Sequence, residues 1–315
     1  MRCFMKKMYS LVIPLYNEEE VIHECIKRVT NVMHNNEFDY EIIFVNDGSS
    51  DSTEEIVKQY CDKDKHLKLI SFSRNFGHQT AISAGMDNAE GDAIIVMDAD
   101  LQDPPEVVLK LIEKYEEGFD VVYAIRSKRK GESFFKKITA KMFYRFLKNM
   151  CEVDIPVDTG DFRLISRQVC DVLKGLTERN RYVRGLVSWV GFKQTGIYYE
   201  REERYAGKTK YPLKKMLKLS VDGITSFSTK PLKLTKWIGI FMAAVGFIYA
   251  IIVIIQKLVG IQMQTGWAST MVTILLIGGI QLIMLGITGE YIARIFDESK
   301  NRPLYIIKEK VNMDE

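Results

Sequence analysis

The sequence has 315 residues, 47% of them hydrophobic, which is enough for one large or two modest buried cores and too much for a small stapled domain. Its 44 basic residues face 41 acidic ones, a net charge of +3, so nothing in the total demands a nucleic-acid partner. The cysteines Cys3, Cys25, Cys61, Cys151 and Cys170 are scattered without a C-x-x-C spacing. That argues against a disulfide framework and a zinc site, and fits reduced thiols.

Residues 1–10 are positively charged but run straight into a strand-like segment, without the apolar stretch and cleavage site of a signal peptide. This predicts a cytoplasmic N-terminal part. From Tyr9 to Ile125, short runs rich in Val and Ile alternate with helical patterns, the βαβα order that a mainly parallel sheet with covering helices requires. The expected strands are 10–14, 41–46, 67–71, 93–97 and 120–125. Between the first two, Val21, Ile22, Cys25, Ile26, Val29, Val32 and Met33 recur every three or four residues and give a helix one apolar face. Another helix is expected after Asp103-Pro104-Pro105, with Asp103 as its cap. In such sheets the ligand crevice lies at the carboxyl ends of the strands.

Beyond Ile125 the composition changes. Segment 133–150, containing FFKKITAKMFYRFLKNM, mixes aromatic residues with lysines at helical spacing. It fits an amphipathic helix lying on a membrane surface, and a core-packing helix fits the same pattern. A second such segment covers 212–230, and residues 208–236 carry eight lysines against one acid, Asp222, which suits anionic lipid. Segments 237–255 and 271–289 are each 19 residues without a charge. At ~1.5 Å per residue each reaches roughly 28 Å, close to the ~30 Å hydrocarbon core of a bilayer. The connection between them holds one basic residue, Lys257, whereas basic residues crowd both outer flanks, so both ends are expected on the cytoplasmic side. The resulting plan is a cytoplasmic catalytic domain over 1–230, a two-helix membrane domain over 231–295 and a cytoplasmic tail over 296–315.

Two acidic motifs stand at expected strand ends. IIVMDAD at 94–100 closes with Asp98 and Asp100, one residue apart. A hard cation such as Mg²⁺ or Mn²⁺ takes one or two carboxylates plus the oxygens of a substrate diphosphate. A lone D-x-D is a weak signal, because aspartate is common in turns and caps; its place at a strand end is what raises it. FVNDGSSD at 44–51 reads as a turn followed by an Asp51 cap. There Asp47 is set to accept hydrogen bonds from a nucleobase or ribose, and Gly48 permits close backbone approach. Neither G-x-G-x-x-G nor G-x-x-x-x-G-K-[ST] occurs, which weakens a dinucleotide or P-loop reading.

Taken together, VIPLYNE at 12–18, NDGS at 46–49 and DAD at 98–100 followed by LQDPP resemble the inverting family 2 glycosyltransferases of the GT-A fold. DTGDFRL at 158–164, REERYAGKTKY at 201–211 and the two C-terminal spans look like the branch that acts on polyprenyl phosphates, which includes bactoprenol glucosyltransferases and dolichol phosphate mannose synthase. The resemblance covers nearly the whole chain. It implies an α/β GT-A domain and transfer of a sugar from a nucleotide donor, usually a UDP-sugar, to undecaprenyl phosphate at the inner membrane face. It further implies that Pro14, Tyr16, Glu18 and Asp47 line the nucleotide site, that Asp98 and Asp100 hold the metal and the diphosphate, and that Gln102 lies beside the donor. RNFGHQ at 74–79 also matches a segment near the donor, although a lone histidine such as His78 is more often a structural hydrogen-bonder than a catalyst.

Arg201, Arg204 and Lys208 share one loop ahead of the basic stretch and suit the phosphate of the acceptor, because arginine's planar fork matches phosphate oxygens. Arg126, with Lys128 and Arg129, is the expected opposite wall. A prenyl phosphate oxygen is largely ionised near neutral pH, its second pKa being about 6, so a strong base is less needed than for a sugar hydroxyl. Beside Asp100, the expected catalytic acids are Asp158 and Asp161, which orient the acceptor or act as base, or else serve as capping and hydrogen-bonding residues around a buried turn. Arg163 pairs with one of them or with substrate. A polysaccharide synthase is disfavoured by the lack of Gln-x-x-Arg-Trp, and a non-catalytic scaffold by the intact Asp98 and Asp100. Small faces at Gly239, Gly246, Gly278, Gly279 and Gly286 suit helix packing, and a homo-oligomer is expected.

Overall fold

The computed structural model describes residues 7–36, 38–127, 159–179, 181–202, 225, 228–259 and 266–313. The apolar runs become β1 (Met8–Leu15), β2 (Asp39–Asn46), β3 (Leu67–Phe72) and β4 (Ala93–Val96), paired in parallel, with β1 between β2 and β4 and β3 outside β2. Near-continuous hydrophobic runs are what strands covered on both faces need. Leu11, Ile13 and Leu15 belong to one core, with the apolar stripes of α1 (Ile22–Asn35), α2 (Thr53–Cys61) and α4 (Val107–Glu116). Val12 points the other way, into a second core with α3 (His78–Asp87).

Pro14 sits near the end of this central strand, buried and in register with Val45. A strand residue turns its N–H and C=O to the same side. The Val12 carbonyl accepts from Met97 N at 3.1 Å, so residue 14 faces a place where the chain has already left β4, and its missing N–H costs no ladder bond.

β5 (Val121–Arg126) is the fifth expected strand, and three more extend the sheet. β6 (Thr159–Ser166) runs antiparallel between β4 and β5, and β7 (Gln194–Tyr199) lies parallel to β5 on one edge. α5 (Arg167–Lys174) and α6 (Val183–Trp189) pack on the Val12 face. On the other edge β8 (Ile307–Val311) pairs antiparallel with β3, giving the order β7-β5-β6-β4-β1-β2-β3-β8.

β8 corrects the expected domain plan, because part of the tail at 296–315 completes the sheet. Tyr305 stacks on Phe72 with ring centroids 5.2 Å apart, Lys58 Nζ lies 2.7 Å from Glu309, and Asn312 Nδ2 donates to the carbonyls of Cys61 and Leu67 at 2.7 and 2.8 Å.

α7 (Lys230–Leu258) and α8 (Trp267–Ser299), of 29 and 33 residues, overrun both expected spans and are each long and apolar enough to cross a membrane. At ~1.5 Å per residue α8 reaches roughly 50 Å, well beyond a ~30 Å hydrocarbon core. Its final turns therefore project, and they touch the sheet domain, where Glu298 Oε1 accepts from Arg179 N at 2.7 Å; Tyr291 Oη donates to the carbonyl of Ser228, just ahead of α7, at 2.7 Å. Ile307, which follows this helix, pairs with Phe72 at the carboxyl end of β3, so the helices leave the sheet at that end. Segment 133–150 and most of 212–230 lie outside the described residues.

Candidate active site

At the carboxyl end of β4 the chain turns through Met97 and Asp98, and the side chain of Asp98 keeps 29% exposure. His78, the first residue of α3, stands between two carboxylates: its Nε2 is 3.4 Å from Asp98 Oδ1 and 3.3 Å from Asp161 Oδ2 on β6. Asp161 is gripped on every side. Arg184, on the first turn of α6, donates through Nε at 2.8 Å and Nη2 at 2.9 Å, and Gln79 Nε2 donates at 3.2 Å. The same Gln79 accepts from Val183 N at 3.0 Å, which ties the start of α6 to the start of α3.

These charges set the protonation states. Burial pushes the Asp98 carboxyl up to about 6; His78 opposes this, and the neighbouring Asp161, Asp103 and Asp100 add to it. Burial would also raise Asp161, but Arg184 and His78 overcome it and hold that carboxyl well below the usual range. Burial lowers His78 in turn, yet Asp161 and Asp98 bring it up to about 9, so it carries a proton at neutral pH. The contacts to Arg184, Gln79 and His78 fit the hydrogen-bonding role expected for Asp161 as the alternative to a base. His78, set aside on sequence grounds, bridges it to Asp98.

Asp103 does not cap α4, which begins at Val107 after Glu106. Its fully buried carboxylate instead accepts from Tyr199 Oη and lies 3.7 Å from Arg126 Nη2 and 3.5 Å from Arg201 Nε. Arg126, the last residue of β5, also donates from Nε to Tyr199 Oη at 3.3 Å. Arg201 is drawn in by its neighbour: Glu202 N donates to the Gln102 carbonyl at 2.9 Å, and Glu202 pairs with Arg28 at 3.1 Å. Asp100 accepts from Gln102 N at 3.1 Å, so Gln102 is fixed on both sides.

At the ends of β1 and β2, the 17–19 segment is latched onto the 49–53 turn. Asn17 N donates to Ser49 Oγ at 3.0 Å, Asn17 Oδ1 accepts from Ser50 N at 2.8 Å, and Glu18 N donates to Thr53 Oγ1 at 2.9 Å. Tyr16 is 43% exposed, whereas Pro14 is buried inside β1. Asp47 is buried, and its carboxylate accepts from Phe76 N at 2.6 Å and Gly77 N at 2.9 Å, fixing the 74–77 segment. Burial still raises its carboxyl above the ordinary value against those two donors. Gly48 is required here: its φ is +66°, and a Cβ would stand 2.6 Å from the Arg74 carbonyl carbon.

Two carboxylate oxygens in this region, Asp98 Oδ1 and Asp103 Oδ2, are buried without a hydrogen-bond partner. Each faces a cation without hydrogen-bonding it, His78 at 3.4 Å and Arg126 at 3.7 Å, and the carboxylates of Asp98 and Asp100 are donors of the kind that a hard divalent cation takes. Among the described residues no three His, Cys, Asp or Glu side chains converge to hold a metal. The structure thus brings Asp98, Asp100, Gln102, Asp161, Arg126 and Arg201 to one end of the sheet. Asp158, Arg129, Arg204 and Lys208 lie outside the described residues.

This mostly parallel α/β sheet is the GT-A architecture, and the chain belongs to glycosyl transferase family 2, whose profile matches residues 10–173. Residues 230–295 match the GtrB C-terminal hairpin, which together with the two apolar helices marks a membrane-associated glycosyltransferase. The chain is 59% identical over 306 residues to the uncharacterized glycosyltransferase YkcC of Bacillus subtilis strain 168, covering 97% of this chain and 95% of that one. It is 45% identical over 299 residues to the bactoprenol glucosyl transferase of Shigella phage SfV, covering 95% and 97%. Among solved structures, glucosyl-3-phosphoglycerate synthase from Mycobacterium tuberculosis, in complex with Mn²⁺, UDP and glucosyl-3-phosphoglycerate, aligns at a TM-score of 0.46 and 19% identity over 70% of this chain and 78% of that one.

Proposed function

We propose that this protein transfers a sugar from UDP-glucose, UDP-N-acetylglucosamine or a similar UDP-sugar to undecaprenyl or another polyprenyl phosphate, at the cytoplasmic face of the membrane. The product is a lipid-linked monosaccharide for modification of cell-envelope glycans. The observation that carries this reading is the meeting of the acidic residues Asp98, Asp100 and Asp103 with two arginines, Arg126 and Arg201, at the end of the sheet from which the apolar helices leave. The name of the phage relative supports the lipid acceptor.

In this mechanism Tyr16, Glu18 and the segment fixed by Asp47 bind the nucleotide. Asp98 and Asp100 hold Mg²⁺ or Mn²⁺, which supplies positive charge for the departing diphosphate. His78 keeps Asp98 in place from the buried side, anchored through Asp161 and Arg184. Arg126 and Arg201 orient the acceptor phosphate, whose own ionised oxygen attacks the anomeric carbon opposite the diphosphate, so no side chain need take a proton. The reaction is a single displacement with inversion, and retained configuration in the lipid product would sink it. The two apolar helices make a multi-pass anchor with both termini cytoplasmic. Gly278, Gly279 and Gly286 have nothing within 4 Å of an added Cβ, a small surface open to a second copy in a homo-oligomer.

The test is transfer by purified protein in detergent, with undecaprenyl phosphate, Mg²⁺ or Mn²⁺ and a panel of radiolabelled nucleotide sugars. Label from one donor should reach the organic phase, and EDTA and Asp100→Ala should abolish it. No label from any donor, with folded protein, refutes the reading.

A further inference from the structure

Two arginine–aspartate arrangements lie side by side in the site, and they differ in kind. Arg184 and Asp161 form a closed pair, with two charge-assisted hydrogen bonds of 2.8 and 2.9 Å. Asp103 faces two guanidinium groups and hydrogen-bonds neither: Arg201 Nε stays 3.5 Å and Arg126 Nη2 3.7 Å away, and Asp103 Oδ2 has no hydrogen-bond partner. A carboxylate kept merely to neutralise a buried arginine closes onto it, as Asp161 does. Asp103 instead spends its hydrogen bond on Tyr199 Oη, which accepts in turn from Arg126 Nε. Gly160 completes the arrangement, since a Cβ there would stand 2.9 Å from Arg126 Nη2. The result is two cations gathered against their mutual repulsion by one buried anion that hydrogen-bonds neither of them.

We propose that Asp103, with Tyr199, is a positioning residue that presents Arg126 and Arg201 as a two-guanidinium cradle for a phosphate monoester. This rests on the reading above, in which that monoester is the polyprenyl phosphate. The arrangement favours a phosphate over a carboxylate, because a tetrahedral dianion offers oxygens to two forks at once. Without the charge of Asp103 the guanidinium groups repel, turn to water and must be gathered again on binding.

The experiment is calorimetric titration of the full chain in detergent with farnesyl phosphate, a soluble prenyl monophosphate, and separately with UDP. Asp103→Asn keeps an oxygen for Tyr199 and removes the charge. It should weaken farnesyl phosphate binding at least tenfold and leave UDP binding within twofold; in turnover the acceptor KM should rise by the same factor while the donor KM holds. Should Asp103→Asn fail to fold, Tyr199→Phe carries the same test, with an expected loss of about threefold. Unchanged or tighter farnesyl phosphate binding, no binding by the wild type, or an equal loss of UDP binding overturns the proposal. Selective loss of farnesyl phosphate binding, in a wild type that transfers no sugar to lipid, upholds the cradle and refutes the proposed transfer.

Discussion

At both ends of the sheet a buried carboxylate keeps one oxygen that faces a cation without a hydrogen bond, and the ends differ in how closely that cation approaches. At the amino end Glu41 on β2 is 1% exposed, yet Ser10 Oγ donates to it at 2.5 Å, Glu90 N donates at 2.6 Å, and Lys68 Nζ lies 2.7 Å from its second oxygen, in ion contact though off the hydrogen-bonding angle. Gly91 N closes the ring onto Ser10 Oγ at 2.8 Å. At the carboxyl end Asp98 and Asp103 each keep a buried oxygen without a hydrogen bond, and Asp98 is pushed up to about 6. A carboxylate with its cation at 2.7 Å locks strands together. One whose cation stands 3.4 to 3.7 Å away stays open to a ligand, and such sites commonly trade stability for function.

This contrast can be broken most directly at Asp98. Asp98→Asn should cost at least about a hundredfold in turnover, as the loss of a first-rank electrostatic group does, measured by transfer of labelled sugar to lipid. It should not cost stability. A carboxyl raised in the folded state favours folding below its unfolded pKa and loses that contribution as pH rises through about 6, so near pH 7.5 neutral asparagine holds or raises the thermal midpoint.

Glu41→Gln should do the reverse. It leaves Lys68 without its buried partner, at a cost of about 2–3 kcal/mol by thermal or chemical unfolding, with turnover per folded molecule kept. If activity falls before stability does, the division of labour between the two ends is wrong.

Arg184→Gln sharpens the comparison from within the site. Asp161 would lose its bidentate partner, destabilising the fold by about 2 kcal/mol, less than a fully buried pair because Arg184 keeps a third of its exposure. The sign with pH follows from the lowered carboxyl: its stabilisation is present above the ordinary aspartate pKa of about 4 and lost as pH falls through the folded value. The gap between wild type and variant is therefore widest near neutral pH and closes in acid, as a pH series of thermal midpoints would reveal. The smallest effect belongs to Lys58→Ala on the partly exposed face of α2, within about 1 kcal/mol despite contacts to Glu54 and Glu309 at 2.9 and 2.7 Å.

The parallel strands were legible because burial on both faces leaves an unbroken apolar run, as in Ile42–Val45. β8 was not, because IKEKV alternates charge with apolar residues as an edge strand does, and nothing local says that it returns to β3. Asp98 and Asp100 were legible as a motif at a strand end. Arg184 and Tyr199 were not: their partners are distant in sequence, and an arginine on the first turn of a short helix looks like any solvated charge. Asp103 was misread for a physical reason. An aspartate before two prolines has the composition of a cap, and only the fold reveals that the helix begins later and that the carboxylate turns inward.

The pairing of Leu69 with Val311 also fixes a timetable. At a synthesis rate of about 5–20 residues per second, roughly 10–50 s separate the emergence of β3 from that of its outer neighbour, and both apolar helices are made in between. Throughout that interval β3 presents an open row of backbone donors and acceptors, the template that recruits foreign strands. Nonsense or frameshift lesions falling after α8 would thus leave the membrane hairpin and every site residue intact, and their harm would come from aggregation rather than from lost chemistry.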